Sequence, residues 1–101
     1  MYYRTADFRL NYATREMAKA LFEDMSSNLT FDAAVTIDWE RVQFISPSFA
    51  DEIVSLLENL DTTVTFVGGS QLLWERFSEV IERRGANIPL DSDPTRYTVY
   101  A

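Results

Sequence analysis

The sequence contains no cysteine and no histidine. These absences exclude disulfides, thiol nucleophiles, zinc sites of the usual kind and every Ser-His or Cys-His catalytic pair. Lysine occurs once, at Lys19, and glycine and proline three times each. With no Pro/Gly/Ser-rich linker, repeat or low-complexity run, residues 1–101 are expected to form a single domain, near the usual size of about 100–150 residues. No apolar stretch approaches the ~20 residues that span a bilayer. Nor does the segment from Met1 to Asp7 pair a basic region with an apolar run, as a signal peptide would. The expectation is a cytoplasmic protein with no membrane contact.

What is present suits a packed core. Hydrophobic residues make up 47% of the chain, including seven Phe, five Tyr and two Trp, which argues against disorder. A domain of this size buries about two thirds of its unfolded surface and needs no staple. Sixteen acidic residues oppose nine basic ones, for a net charge of −7. Nucleic-acid binding needs cations to displace counterions from phosphate, so no direct nucleic-acid partner is expected. An anionic membrane surface is disfavoured on the same ground. Solubility or a basic partner accounts for the charge.

Along the chain, Phe8, Leu10 and Tyr12 alternate with polar residues, which predicts a strand or extended arm. Thr14 to about Met25 reads as a helix capped by Thr14, with Met17, Leu21 and Met25 as its core stripe and Ser26-Ser27-Asn28 closing it. Ala33 to Asp38 alternates as a strand, and Phe44-Ile45 leads into a helix that starts at Ser46-Pro47 and runs to about Leu60. Phe49, Ile53, Leu56, Leu57 and Leu60 form its buried stripe. Thr63 to Val67 is the next strand and Gly68-Gly69 a turn. Ser70 caps a helix to about Arg84, which Gly85 ends. Asn87 to Pro94 reads as a loop and Tyr97 to Tyr100 as a terminal strand.

This order implies an α/β fold with a central mixed or parallel sheet of about four strands and three main helices, joined by right-handed crossovers. Strands covered on both faces are apolar throughout. Here Thr36, Thr63 and Thr65 alternate with apolar residues, so the helices are expected to cover one face only.

The run Val35-Thr36-Ile37-Asp38, five residues, then Phe44-Ile45-Ser46-Pro47-Ser48 and an apolar helix resembles the STAS domain of bacterial anti-sigma factor antagonists. The likeness extends from about Thr14 to Gly85, with its specific part in Phe44 to Glu52. That motif, Phe44-Ile45-Ser46-Pro47-Ser48-Phe49-Ala50-Asp51-Glu52, is most similar to a divergent STAS-like family of unknown function with a Ser-x-Ser-Phe-Ala-Asp-Glu motif. In the STAS family a loop with Asp-Ser-Ser-Gly or Asp-Ser-Thr-Gly starts this helix. Its second hydroxyl residue is phosphorylated by a kinase that is also the anti-sigma factor. Carried over by position, that phosphosite falls on Ser48, with Ser46 at the family's Asp, Pro47 at its first Ser and Phe49 at its Gly. The resemblance implies a non-catalytic regulatory module that docks on a kinase or other ATPase through Ser46, Pro47, Ser48, Phe49, Asp51 and Glu52. A bulky Phe49 beside the hydroxyl is expected to hinder a kinase that expects Gly.

The same residues have a plain structural reading. Ser46 with Pro47 is an N-cap followed by proline at the first helical position, while Ser48 to Asp51 matches a capping box with Asp in place of Glu. Only one residue can be the N-cap, so one hydroxyl is surplus. A surplus hydroxyl at a helix start suits phosphate, although Asp51 and Glu52 would repel it.

Asp38, a secondary candidate, ends a strand where α/β sheets place ligands. It reads as a turn-capping Asp or as a phosphoacceptor or magnesium ligand, for which Lys19 is the chain's one lysine. Gly68-Gly69-Ser70 reads as a turn or an anion cradle. Glu75, Glu79 and Glu82 with Arg76, Arg83 and Arg84 read as a solvated helix face with i,i+4 pairing. No metal site or cofactor is expected. The alternatives are a phosphoreceiver-like or small enzyme site at Asp38 and Ser48, a self-associating domain or homodimer using its Thr-lined face or terminal strand, or an interaction protein of a phage or defence setting. Acidic mimicry of DNA rests on net charge alone.

Overall fold

The computed structural model of the chain describes residues 1–28 and 34–91. Six strands, three helices and one short 3-10 turn (Thr5–Asp7) follow in the order β1 (Tyr2–Arg4), the turn, β2 (Asn11–Tyr12), α1 (Arg15–Asn28), β3 (Val35–Asp38), β4 (Phe44–Ile45), α2 (Pro47–Glu58), β5 (Val64–Val67), α3 (Gln71–Arg84) and β6 (Leu90–Asp91). The main sheet has strand order β1-β3-β5-β6 with every pairing parallel; β2 and β4 form a separate parallel pair.

That order never reverses, and right-handed crossovers taken in one direction stack all their helices on one face. The core reflects it. Tyr3, Val35, Ile37, Val64 and Phe66 point to the same side and form one cluster with Leu21 and Met25 of α1, Phe49, Ile53 and Leu57 of α2, and Leu73, Phe77 and Val80 of α3. On the other face, Thr36 and Thr65 stand side by side and half-buried. Both residues are small and β-branched, and their hydroxyls suit a face that no helix among the described residues covers.

Several boundaries differ from those expected. The alternation at Phe8 to Tyr12 yields only the two-residue β2; Phe8 and Leu10 are exposed, and the sheet strand is Tyr2–Arg4. Three residues are too few for alternation to register in sequence. Ser26 and Ser27 continue α1 instead of closing it, and their hydroxyls donate back to the carbonyls of Phe22 and Glu23 at 2.8 and 3.0 Å. Within the segment read as a loop, Leu90 and Asp91 add a fourth strand beside Phe66 and Val67, entered through Pro89. Proline is tolerated at such a strand start. Gly85 ends α3 at φ 65°, as expected. Ala33 and the strand expected at Tyr97 to Tyr100 lie outside the described residues. Among the described residues, no helix is long and apolar enough to cross a membrane.

Candidate functional site at the start of α2

The start of α2 is built by the residue that precedes it. Ser46 is extended (φ −85°, ψ 162°), and its hydroxyl accepts from the Phe49 N–H at 3.0 Å while donating to the Ala13 carbonyl at 2.8 Å. One hydroxyl thus caps α2 and ties it to the segment leading into α1. Pro47 follows at the first helical position, where its missing N–H costs nothing. Ser46 is therefore half-buried and committed to the fold, not a free hydroxyl for a partner. Ser48 is exposed and takes no part in the cap. The capping box expected from Ser48 to Asp51 does not form.

Phe49, expected at the partner surface, is fully buried. Its ring stacks on Tyr12 at 4.6 Å between centroids and meets Trp39 edge-on at 6.0 Å. Trp39 in turn touches Phe66 and Phe77, at 5.3 and 4.7 Å. Phe49 is thus the anchor that joins α2 to the aromatic core, and its side chain leaves the space around Ser48 clear. The hindrance expected of it as a replacement for Gly has no steric basis here.

Asp51 and Glu52 lie one turn beyond Ser48 on the same helix face. Arg15 of α1 reaches both, at 2.9 and 3.2 Å, and Arg84 and Arg83 of α3 reach Asp51 at 3.2 and 3.4 Å. Arg84 also bonds Glu58 at 2.9 Å. The Arg15 hydrogen bond, helped by Arg84 and opposed by partial burial, holds the Asp51 carboxyl below the usual carboxylate range. The same contact raises the Arg15 guanidinium. The repulsion expected between these acids and a phosphate on Ser48 is thus countered by three guanidiniums, with Arg15 itself close to half exposed. The arginines of α3 were expected to pair along their own helix. Among the described residues, the ion pairs of Arg83 and Arg84 instead cross to α2. Spacing on one helix could not reveal that, since the partner is set by how α3 packs on α2.

Asp38 is not brought to Ser48. It is only 5% exposed. Its carboxylate accepts the Tyr2 hydroxyl and, at 2.8 Å, the Glu40 N–H, and its carbonyl accepts from the buried Thr5 hydroxyl at 2.9 Å. This is the work of a turn-capping Asp, with each carboxylate oxygen already accepting a hydrogen bond from the fold. Among the described residues, no three acidic side chains gather as a metal would require.

The Gly68-Gly69-Ser70 turn is likewise occupied from within. Gly69 N–H donates to the Glu40 carboxylate at 3.0 Å, and the Ser70 hydroxyl caps α3 by accepting from Leu73 N–H at 3.3 Å. Gly68, at φ 70°, sits so close that a Cβ would lie 2.6 Å from Asp38 Oδ1 and 2.8 Å from Glu40 Oε2. Glu40, which no sequence motif marks, is the anion of this cradle.

Compared with protein families, curated proteins and solved structures, the chain matches none of them. Among the described residues the fold is an α/β domain with one helical layer, and Ser48 is an exposed hydroxyl at a helix start that takes no part in the cap.

Proposed function

We propose that this chain is a cytoplasmic, non-catalytic regulatory module of the STAS type. It docks on a protein partner, a kinase or other ATPase, through the start of α2, and phosphorylation of Ser48 switches that contact. The observation that carries the reading is the division of labour between the two serines. Ser46 performs the whole cap, leaving Ser48 exposed at the positive end of α2. A phosphate there would also stand one helical turn from the carboxylates that Arg15 holds. The contact surface is Pro47, Ser48, Asp51 and Glu52; Ser46 and Phe49 support it from beneath. The committed oxygens of Asp38 weigh against the phosphoreceiver alternative.

The test compares Ser48→Asp with Ser48→Ala in quantitative affinity capture from the native host. Neither change should alter folding, since exposed substitutions away from caps fall within about 0.5 kcal/mol. A partner retained by one variant and lost by the other supports the switch. Equal recovery by both removes Ser48 from it. Incubation with acetyl phosphate, followed by intact-mass measurement, should leave the protein unmodified. A phosphoryl adduct formed without a kinase would instead favour a receiver.

A further inference from the structure

The sheet face turned away from the helices is not bare. Alternation along β5 sends Val64 and Phe66 into the helical core and Thr65 and Val67 to the opposite side. Val67 is absent from the cluster that the helices cover, yet its exposure is 0%. Its cross-strand neighbours are Asp38 and Asp91, and next to it on the same side of its own strand stands Thr65, which is half-buried. A valine on an uncovered sheet face stays partly open to water. Something therefore stands over Val67, and no described helix does.

Two stretches of the chain, 29–33 and 92–101, lie outside the described residues. The first is tied at both ends, to α1 and to the amino end of β3. Because β3 and β5 are parallel, that is the far end of the sheet from Val67, which closes β5 at its carboxyl end. The second leaves the sheet directly beside Val67. Asp91 pairs with Val67, and its carbonyl accepts from the Gly68 N–H at 3.1 Å. Ser92-Asp93-Pro94 carries turn residues. The seven residues after Pro94 reach about 23 Å when extended, whereas β6 to β1 is three strand spacings, about 14 Å. Tyr97 and Val99 alternate with Thr98 and Tyr100, which gives an extended segment one side that suits a valine.

We propose that residues 92–101 turn back after β6 and cross this face as a strap, seating Tyr97 and Val99 over Val67 and the Thr36–Thr65 pair. The strap occupies the surface that a second copy would otherwise use, so self-association through the Thr-lined face requires its release. The face shares no residue with the start of α2, and its test uses no partner protein, so either reading can fail alone.

The chain has no cysteine, so Thr98→Cys accepts a single nitroxide label in the otherwise intact protein. Amide signals of Thr36, Thr65 and Val67 should broaden strongly, and those of Glu16 and Glu79, exposed on the helical layer, far less. A sample mixing isotope-labelled wild type with spin-labelled, isotope-free protein should show no such broadening. The second measurement is thermal melting. Val67→Thr places a hydroxyl in the buried site and should lower the midpoint by several degrees. In a chain that also carries Tyr97→Asp and Val99→Asp the site is open to water, and the same change should shift the midpoint far less. No broadening, broadening equal on both faces, or equal melting shifts in the two backgrounds overturn the proposal. Broadening in the mixed sample also overturns it, and assigns the face to a second copy.

Discussion

The starts of α2 and α3 use one local grammar to opposite ends. Each follows a strand, each is capped by a serine whose hydroxyl accepts from the N–H three residues on, and in each that third residue is buried, Phe49 in one and Leu73 in the other. The difference lies in what meets the exposed backbone. At α3 the chain supplies its own anion: Glu40 reaches across from the β3–β4 turn to Gly69, with Asp38 packed behind Gly68. Nothing comparable meets the start of α2 among the described residues, where Pro47 and Ser48 are exposed. One helix start is sealed by the fold and the other is open, and only an open one can respond to a modification or a partner.

The largest test of this comparison concerns what the two starts share. Phe49→Ala empties a fully buried ring site in the aromatic cluster and should cost about 3–5 kcal/mol, read by urea denaturation. Should the loss be no larger than that of an exposed helix residue, Phe49 does not anchor α2.

Next comes the sealed end. Gly68→Ala combines a left-handed backbone with a clash against Asp38 and should cost about 2 kcal/mol or more. A neutral result would mean the Asp38–Glu40 cradle opens freely.

The caps should differ by less. Ser46→Ala should cost about 1–2 kcal/mol and Ser70→Ala about 1 kcal/mol, because the Ser46 hydroxyl also holds the Ala13 carbonyl. Equal losses would show that this second bond adds nothing.

The smallest effect is electrostatic. The Asp51 carboxyl is held below its usual range by Arg15. Its contribution to stability is therefore complete above the unfolded value of about 4 and is lost as pH falls through the folded value. The denaturation midpoint of wild type should drop on acidification below about pH 5 more steeply than that of Asp51→Asn. Parallel profiles would assign the acid limb to other carboxylates. Exposed pairs contribute little individually, which places this test last.

Much of the architecture was legible because the longer elements carry their own signals. The stripe of α2, the alternation of Val35 to Asp38 and of Val64 to Val67, and the serine and glycine caps of α3 all register within one element. Tyr2–Arg4, Asn11–Tyr12 and Leu90–Asp91 were not legible as they stand. Strands of two or three residues are defined by the neighbour they pair with, not by their own pattern. The site divides in the same way. Ser46 as a cap and Asp38 as a turn residue follow from local chemistry. The burial of Phe49, the reach of Arg15, Arg83 and Arg84 across helices, and the placement of Glu40 against Gly69 depend on packing between elements that the linear order does not specify.

The unreversed strand order carries a consequence for how the molecule is assembled. Each main strand pairs with the main strand before it in the chain, so the sheet can lengthen by successive addition without any segment waiting for a distant one. The β3–α2–β5 unit holds Trp39, Phe49 and Phe66, and the flanking strands β1 and β6 add to its two sides. Such a unit meets the description of a folding nucleus: a helix with the strands it packs on, joined by short loops of low closure entropy. The aromatic cluster that supports the start of α2 would then form early, together with the Thr36–Thr65 pair of the opposite face, and the outer strands β1 and β6 would arrive last.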